Sequence, residues 1–197
     1  MAITPEETLQ IFEQTGAYLR GHFRLTSGLH SPGYLQCAKV LQYPAIAERL
    51  GAELAARLRT IMKEPADIVV APAMGGLIIG HEVARALGVP FVFTERDPGT
   101  REMVLRRGFA LQQGAKAVVI EDVITTGGSS REVVAIIRAL GARAIATGSI
   151  MDRSGGAADV GVPRVALATL SVKTYGEGDC PMCAAGQSVT KPGSRPS

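Results

Sequence analysis

The sequence predicts an α/β protein in which helices flank a parallel sheet. From residue 67 onward, short runs rich in β-branched residues alternate with amphipathic helical segments, the pattern of parallel strands joined by crossover helices. Glycine-rich turns follow two of these runs. The chain has 197 residues, 46% of them hydrophobic, so it is long enough to bury a core as a single domain.

The first part of the chain is predicted to hold a helix, a hairpin and a second helix. The first helix, over residues 5–19, has Thr4 as its N-cap and Glu7 three residues later, the spacing of a capping box. Residues 21–41 combine Gly and Ser with short apolar stretches, which favours a hairpin. The second helix begins at Pro44 and repeats apolar residues every four positions, at Ile46, Leu50, Leu54 and Leu58.

Five strands and two helices are predicted after residue 66. The strands cover residues 67–71, 89–94, 117–121, 144–151 and 165–170. The helices cover residues 77–87 and a segment ending at Leu140, and a glycine follows each one. Residues 94–109 form a long polar stretch without a clear pattern, and the segment after Lys173 is rich in Gly, Pro and Ser and is expected to be irregular.

Composition argues against several classes of function. The net charge of +3 is too small, and the aromatic fraction of 5% without Trp too low, to predict a nucleic-acid-binding surface. No apolar run reaches the roughly 18 residues of a membrane span, and the N-terminus does not resemble a signal peptide. We therefore expect a cytoplasmic protein with no nucleic-acid or membrane partner. Three cysteines, an odd number, argue against a disulfide framework.

The most informative stretch is VVIEDVITTGGSS, residues 118–130. An apolar strand leads into two carboxylates, and a turn of hydroxyl residues and glycines leads into a helix. Glycines allow backbone N–H groups to converge, and the N-terminus of a helix favours an anion. We expect this stretch to hold a terminal phosphate, with hydroxyl donors at Thr125, Thr126, Ser129 and Ser130. Ser129 and Glu132 are also expected to form a capping box.

The two carboxylates, Glu121 and Asp122, indicate the kind of ligand. Ionised carboxylates only accept hydrogen bonds, so they repel phosphate but bind sugar hydroxyls or hydrated Mg²⁺. They are predicted at the carboxyl end of a strand, where open α/β sheets bind ligands. A ligand with ribose hydroxyls and a phosphate on one sugar fits this arrangement. The alternative is a plain strand–turn–helix whose acids cap the next helix. Neither a P-loop nor a dinucleotide-binding motif is present.

With these residues identified, the sequence resembles a known family. Residues 118–130 look like the phosphoribosyl-pyrophosphate (PRPP) signature of type I phosphoribosyltransferases. Four further segments are similar to orotate phosphoribosyltransferases, in order along nearly the whole chain: FRLTSGLHSPGYL, FTERDPGTREMVLRRGF, DRSGG and CPMCAAGQSVTKPGSR. The resemblance implies a type I phosphoribosyltransferase fold in a single domain. Its core is expected at residues 44–171, and a small hood is expected from residues 1–43 and 172–197.

The resemblance also implies roles for individual residues. Asp122 is expected to act in catalysis and to bind ribose hydroxyls with Glu121, while the loop after them holds the 5′-phosphate. The implied PRPP-binding set is Glu121, Asp122, Val123, Ile124, Thr125, Thr126, Gly127, Gly128 and Ser129. Thr125 and Arg153 are expected to contact orotate, and a guanidinium is suited to this because it can grip a carboxylate with two hydrogen bonds.

Two loops complete the implied site. The pyrophosphate loop matches Ala73, Met74, Gly75 and Gly76, with an ordinary βα turn as the alternative. Residues 94–109 match a mobile lid that closes over the site of the neighbouring subunit in a homodimer. This lid carries Arg96, Arg101, Arg106 and Arg107 but no lysine, although lysines are usual there. Arginine stabilises negative charge on pyrophosphate but keeps its proton. Arg96 is the candidate catalytic residue of the lid.

Other departures from the family pattern concern the first segment. Lysines that are frequent in the family are replaced by Thr26 and Gly75. Lys39 is a candidate substitute. Ser27 and Tyr34 are candidate substrate contacts, with Tyr34 as a cover for a flat pyrimidine ring, although a core or hairpin role fits Tyr34 equally well.

The tail contains Cys180 and Cys183 in a C-x-x-C pattern, which is either half of a zinc site or a structural turn. A second subunit could supply the other half. The histidines, His22, His30 and His81, lack the spacing of metal ligands, so they are expected to be surface or loop residues. The turn is therefore the favoured interpretation.

The implied reaction transfers the phosphoribosyl group of PRPP to orotate, giving orotidine 5′-phosphate and pyrophosphate in pyrimidine biosynthesis. Mg²⁺ is the expected cofactor, bound through PRPP and not directly by the protein. The expected partners are orotate, PRPP and a second subunit. Two alternatives stay open, a purine-type phosphoribosyltransferase and a non-catalytic PRPP-sensing regulator. Arg153 and the N-terminal segment argue against the first, and the arginine-bearing lid argues against the second.

Overall fold

A six-stranded sheet with helices on both faces forms the centre of the protein. The computed structural model describes residues 2–25 and 27–191. In chain order, the elements are α1 (Pro5–Gln14), β1 (Tyr18–Arg24), β2 (His30–Leu35), α2 (Ala38–Leu41), α3 (Pro44–Ile61), β3 (Ile68–Pro72), α4 (Gly76–Leu87), β4 (Phe91–Arg96), β5 (Met103–Leu105), β6 (Lys116–Ile124), α5 (Gly128–Ala139), β7 (Arg143–Asp152), β8 (Arg164–Thr169), a 3₁₀ turn (Glu177–Asp179) and α6 (Pro181–Ala184).

The order of strands in the large sheet is β5-β4-β3-β6-β7-β8. Its five long strands pair in parallel, which confirms the predicted α/β architecture. The short edge strand β5 is antiparallel to β4. It lies in the stretch that the sequence predicted to be without clear structure, so that prediction is wrong for residues 103–105. Strands β3 and β6 are central, and β6 delivers the signature stretch to the carboxyl edge of the sheet.

Neighbouring residues on the central strands supply the two halves of the core, because side chains along a strand alternate between its faces. Val69 and Val118 pack on one face, with α3 and α4, and Val70 and Val119 pack on the other, with α5. The predicted stripe of α3 is confirmed, since Leu50, Leu54 and Leu58 are fully buried.

The first helix begins as predicted but ends early. The side chain of Thr4 accepts a hydrogen bond from the N–H of Glu7 (3.1 Å), and the carboxylate of Glu7 accepts one from the N–H of Thr4 (2.8 Å). The capping box is therefore confirmed. The helix stops at Gln14, because Gly16 adopts a left-handed conformation (φ 62°) that breaks it. The predicted extension to residue 19 is wrong, and Leu19 lies in β1.

The predicted hairpin is the antiparallel pair β1–β2, and the tail, residues 172–191, lies along both of its strands. Tyr175 and His30 exchange two backbone hydrogen bonds of 2.8 and 2.9 Å. Thr190 bonds to His22 (2.8 Å) and Arg24 (2.9 Å) in the same way. The tail thus has an ordered path, although the sequence predicted it to be irregular. Residues 192–197, which complete the predicted hood, lie outside the described part of the chain.

Within residues 2–25 and 27–191, none of the helices has both the length and the hydropathy that crossing a membrane requires.

Candidate active site

Three loops converge at the carboxyl edge of the large sheet, where parallel α/β sheets bind their ligands. They follow β3 (residues 73–76), β6 (residues 125–127) and β7 (residues 153–156). The N–H of Arg153 donates to the carbonyl of Ile124 (2.7 Å), so the last two loops are tied together at their bases. The sequence-predicted pyrophosphate loop, phosphate loop and orotate arginine therefore belong to one edge.

Asp122 lies on the face of the sheet that α4 covers. The thiol of Cys37 donates to its carboxylate, and so does the N–H of Val123 (2.9 Å). Loss of water around the half-buried carboxylate raises its pKa, against these hydrogen bonds. Among the described residues it has no cationic partner. An unneutralised carboxylate at a strand end is suited to ribose hydroxyls or to a hydrated cation.

Glu121 is directed to the opposite face, as alternation along a strand requires. Its carboxylate accepts hydrogen bonds from the hydroxyls of Ser130 and Ser129 on α5. Burial raises its pKa to about 7, although the bond from Ser130 counteracts this effect. The two acids are adjacent in sequence, but they have separate surroundings. The prediction that Ser130 donates to phosphate is wrong, because its hydroxyl is fully buried against Glu121.

The phosphate loop turns at Gly127, which has a left-handed conformation (φ 76°) and precedes the first turn of α5. A Cβ at this position would lie 3.0 Å from Val160 Cγ1 and 3.2 Å from the carbonyl oxygen of Asp159, so glycine is required by conformation and by space. Gly128 and Ser129 begin the helix, where backbone N–H groups have no acceptor within the helix. These N–H groups are available to an anion.

Residues 125–126 of this loop are held by hydrogen bonds on one side and are exposed to solvent on the other. Thr125 and Thr126 are exposed, as a binding loop requires. Arg131 donates to the carbonyl oxygens of Thr126 (2.9 Å) and Asp159 (2.6 Å) and so holds the loop from behind. The side chain of Ile124 is fully buried in the core, so any contact of this residue with a ligand is limited to its backbone.

The predicted capping box between Ser129 and Glu132 is wrong. The N-cap of α5 is Gly127, which has no side chain to cap with. Glu132 instead binds Arg96 in a bidentate pair with N–O distances of 2.5 and 2.9 Å. Because Gly127 is the N-cap, the helix begins at Gly128, and Ser129 lies inside its first turn.

The pyrophosphate loop packs against Asp122. A Cβ on Gly75 would overlap the carboxylate of Asp122, and a Cβ on Gly76 would lie 2.8 Å from the carbonyl oxygen of Ile120. Ala73 donates its N–H to Thr94 (2.7 Å), the peptide between Ala73 and Met74 is cis, and the side chain of Met74 is exposed. A lysine at position 75, which the family resemblance leads one to expect, would require the carboxylate of Asp122 to move.

Arg153 and Tyr34 lie close enough to influence each other electrostatically, and Asp122 likewise influences Tyr34. Tyr34 lies on β2, and burial, followed by the nearby charge of Asp122, raises the pKa of its hydroxyl. Burial lowers the pKa of Arg153, while the neighbouring tyrosine oxygens oppose this shift. The Nε atom of Arg153 is buried with no hydrogen-bond partner in the part of the chain that the structure describes. A half-buried guanidinium of this kind is poised to bind a carboxylate or a carbonyl ligand.

The lid, residues 94–109, is ordered for much of its length as the β4–β5 hairpin. Arg106 and Arg107 approach carboxylates of the same segment, at 3.9 and 2.6 Å from Glu95. Arg96 is held by Glu132 on α5. Arg101 has a left-handed backbone (φ 62°), and its side chain makes no hydrogen bond or ion pair within residues 2–25 and 27–191.

Two residues of this neighbourhood were not predicted from the sequence. Cys37 bonds to Asp122, but nothing in its local sequence marks a long-range contact. Asp152 organises the turn that carries Arg153, since it accepts from the N–H of Ser154 (2.7 Å) and pairs with Arg164 (2.6 Å). Asp152 is the first residue of the DRSGG segment, and this motif is the signal that could have identified it.

The structure also shows where the candidate residues of the first segment and the three histidines lie. Lys39 does not reach the phosphate loop but donates to the carbonyl of Gly16 (3.2 Å), so it is no substitute for the missing lysines. Ser27 lies in the exposed turn between β1 and β2, and Thr26 lies outside the described residues. His81 is exposed as expected, but His22 and His30 are buried, so the expectation that they are surface residues is wrong.

Comparison with known proteins agrees with this geometry. Residues 38–167 match the family described as a phosphoribosyl transferase domain. An orotate phosphoribosyltransferase of Desulforamulus reducens is 50% identical over 190 residues, which cover 96% of this chain and 97% of that protein. One of Erythrobacter litoralis is 50% identical over 193 residues, covering 98% and 99%.

Solved structures show the same fold. The crystal structure of an orotate phosphoribosyltransferase from Aeropyrum pernix has a TM-score of 0.67 and 26% identity, covering 82% of this chain and 92% of that one. An adenine phosphoribosyltransferase from Trypanosoma brucei has a TM-score of 0.59 at 18% identity, covering 81% and 79%, a likeness of fold alone.

Proposed function

The chain belongs to the orotate phosphoribosyltransferases, and from that premise we propose how its own residues perform the reaction. The enzyme transfers the phosphoribosyl group of PRPP to orotate, giving orotidine 5′-phosphate and pyrophosphate. One observation supports orotate over a purine base more than any other. The guanidinium of Arg153 lies half-buried, without a carboxylate partner among the described residues, beside Tyr34 and the phosphate loop. Orotate carries a carboxylate, and purine bases do not.

We propose that the edge of the sheet binds PRPP in two parts. The loop at residues 125–129 takes the 5′-phosphate on its backbone N–H groups and hydroxyls, and the loop at residues 73–76 takes the diphosphate. Asp122 lies between them and accepts from the ribose hydroxyls. When the bond at the anomeric carbon breaks, positive charge develops on the ribose ring, and the nearby carboxylate stabilises it.

Mg²⁺ fits the same place as a proposed cofactor. Asp122 has no cationic partner in the described part of the chain, and carboxylate and hydroxyl oxygens are the ligands that this ion prefers. We propose that the ion is held through the diphosphate and ribose hydroxyls of PRPP, close to Asp122. When bound, it neutralises charge on the leaving pyrophosphate.

We propose that the enzyme is a cytoplasmic homodimer in which the lid of one subunit completes the site of the other. Met74 in the pyrophosphate loop and Ile78 on α4 are exposed, at 76% and 46%, and a second copy would cover them. Arg96, the candidate from the sequence, is occupied by Glu132. We therefore propose Arg101, whose guanidinium is unpaired among the described residues, as the lid residue that reaches the pyrophosphate.

The test is a spectrophotometric assay with orotate, PRPP and Mg²⁺, repeated with Arg153→Gln and with Arg49→Gln, at an exposed arginine of α3, as the matched control. We expect turnover that requires PRPP, and a rise in the KM for orotate of about 10-fold or more for Arg153→Gln, because a charged hydrogen bond is lost. Turnover with adenine or hypoxanthine in place of orotate would contradict the proposal. PRPP binding without turnover of any base would indicate a sensor.

The contribution of the lid is tested by mixing two inactive variants. Arg101→Ala and Asp122→Asn each disable a different part of the composite site, so a mixed dimer retains one intact site. Recovery of activity on mixing supports a lid that acts across subunits, and a monomer in light scattering would contradict it. Arg96→Ala, carried through the same assay, separates the two arginines.

A further inference from the structure

Four potential metal ligands meet where the hairpin and the tail join. They are His22 on β1, His30 on β2, and Cys180 and Cys183 at the start of α6, and their ligand atoms all lie within 4.8 Å of one another. Three of the four residues are buried, with exposed fractions of 2–5%, and Cys183 is half-buried. From the sequence, a structural turn is the favoured interpretation of the C-x-x-C pair, and a second subunit is the possible source of the other two ligands. Both histidines come instead from the same chain.

Three nitrogen–sulfur distances within the cluster suit a tetrahedral ion. Cys180 Sγ and Cys183 Sγ lie 3.6 and 3.7 Å from His22 Nε2, and Cys183 Sγ lies 3.2 Å from His30 Nδ1. Around tetrahedral Zn²⁺, with Zn–N near 2.0 Å and Zn–S near 2.3 Å, neighbouring ligand atoms are about 3.3–3.8 Å apart. The two ring nitrogens, 2.8 Å apart, would need to separate by about half an ångström.

The hydrogen bonding of His22 directs its free lone pair into the cluster. Its Nδ1 lies 2.9 Å from the carbonyl oxygen of Gln187, and a carbonyl can only accept, so Nδ1 carries the proton. In the neutral ring Nε2 is then the nitrogen with the free lone pair, and it faces His30 Nδ1 and both sulfurs. A carbonyl partner on the far nitrogen is the usual arrangement around a metal-binding histidine.

Hydrogen bonds alone account poorly for this convergence. One lone pair on His22 Nε2 is approached by three polar atoms, and it can accept one strong hydrogen bond. A cation at the centre of the group would bind all four atoms at once. Two thiolates and two imidazoles form a ligand set that selects zinc over the oxygen-preferring Mg²⁺ or Ca²⁺.

We propose that His22, His30, Cys180 and Cys183 bind one structural Zn²⁺ ion. Four protein ligands close the coordination shell, so the ion has no open position for substrate and stabilises structure without taking part in catalysis. It joins segments that are 158 residues apart in sequence. Tyr34 lies four residues beyond His30 on β2, roughly 13 Å along the strand, so the ion anchors the strand that carries Tyr34 to the active site.

The first test is metal analysis of the wild-type chain, purified under reducing conditions without chelators and dialysed against metal-free buffer. We expect about one zinc per chain, retained in His81→Ala, which removes an exposed histidine outside the cluster. Cys183→Ser and His30→Ala should each lose most of it. Thiol titration of the native protein adds a second count, because chelation should make about two more cysteines reactive while the buried Cys37 stays protected.

Cobalt substitution gives a readout that does not depend on the variants folding well. Co²⁺ bound to the wild-type apoprotein should show thiolate charge-transfer bands and intense visible bands typical of tetrahedral coordination by two sulfurs. In Cys183→Ser these bands should fall to well below half of their wild-type intensity, because the variant loses one thiolate and most of its bound metal. Chelation of zinc should also lower the melting temperature of the wild type and not that of an already metal-free variant.

Three results would overturn the proposal. The first is wild-type protein that contains no zinc and whose reduced apo form does not bind added Zn²⁺. The second is zinc content that is unchanged in Cys183→Ser and His30→Ala. The third is a disulfide between Cys180 and Cys183 in protein kept under reducing conditions, since both thiols would then be unavailable to a metal.

Discussion

The phosphate loop and the junction of the hairpin with the tail are both dense polar clusters, but they are built in opposite ways. The phosphate loop comes from one continuous stretch, residues 118–130, folded as strand, turn and helix. The junction brings together residues near positions 22 and 30 with residues near 180, and it is closed by backbone bonds on both strands of the hairpin. The first is open at a sheet edge, and the second is buried.

This difference separates two roles. An open edge with exposed hydroxyls and helix N–H groups can exchange a ligand at every turnover. A closed cluster with buried ligand atoms can only hold its contents. Function that requires exchange is therefore expected at the sheet edge, and function that requires permanence at the junction. If the two regions are independent, a substitution at one should leave the other unchanged.

The largest effect is expected from Asp122→Asn. The substitution removes the charge beside the ribose and should lower kcat by about 100- to 1000-fold, the range for loss of one group that stabilises charge in the transition state. Steady-state kinetics with orotate and PRPP measure it. Asp67→Asn, a matched change at the amino end of β3, should leave kcat within about two-fold. Equal losses in both variants would show that stability, not charge at the site, is responsible.

The second effect concerns the dependence of stability on pH. The pKa of Glu121 is about 7 in the fold and 4.5 ordinarily, so between these values the folded state binds more protons than the unfolded state. Its contribution to the free energy of unfolding is therefore complete below pH 4.5, falls as pH rises through 7, and is constant above. The total loss should be about 3 kcal/mol, of which about 2–3 kcal/mol falls between pH 5 and pH 8.

Urea unfolding of the wild type and of Glu121→Gln, at pH 5 and pH 8, measures this loss. The glutamine keeps an acceptor for Ser130 but does not titrate, so the difference between the two pH values should shrink by that amount. Glu6→Gln, at an exposed position, should behave as the wild type does. If Glu121→Gln retains the full difference, the pH dependence originates elsewhere.

The smallest effect is expected where the hairpin touches the site. Tyr34→Phe keeps the ring, which packs near Phe23 (centroids 5.9 Å apart), and removes only the hydroxyl facing Asp122 and Arg153. The KM for orotate should rise by about 3- to 10-fold with kcat nearly unchanged, the cost of one hydrogen bond. Tyr43→Phe, at an exposed tyrosine, serves as the control. A fall in kcat with constant KM would mean that Tyr34 acts on the reacting bond.

These two regions also differ in what their sequence revealed. Strands, helices and the phosphate loop follow from local patterns, and the glycine at position 127 is explained by a turn within the same stretch. The sequence analysis did not anticipate that Glu121 and Asp122 have separate surroundings. They do because β6 extends through the motif, so the two neighbouring side chains point to opposite faces of the sheet. The burial of His22 and His30 was missed as well, since no local spacing indicates that the tail returns to the hairpin. Sequence periodicity encodes neighbours within an element, and contacts across 158 residues require the folded chain.

The return of the tail to the hairpin has a consequence for assembly. The large sheet is complete at residue 169, whereas the backbone bonds that His30 makes to Tyr175, and that His22 makes to Thr190, require the tail. All strand pairings of the large sheet are therefore available without the tail, whereas β2, the strand that bears Tyr34, gains its second backbone support only from the tail. Assembly of the phosphate loop thus does not require residues 172–191, but full support of the strand beside the pyrimidine does.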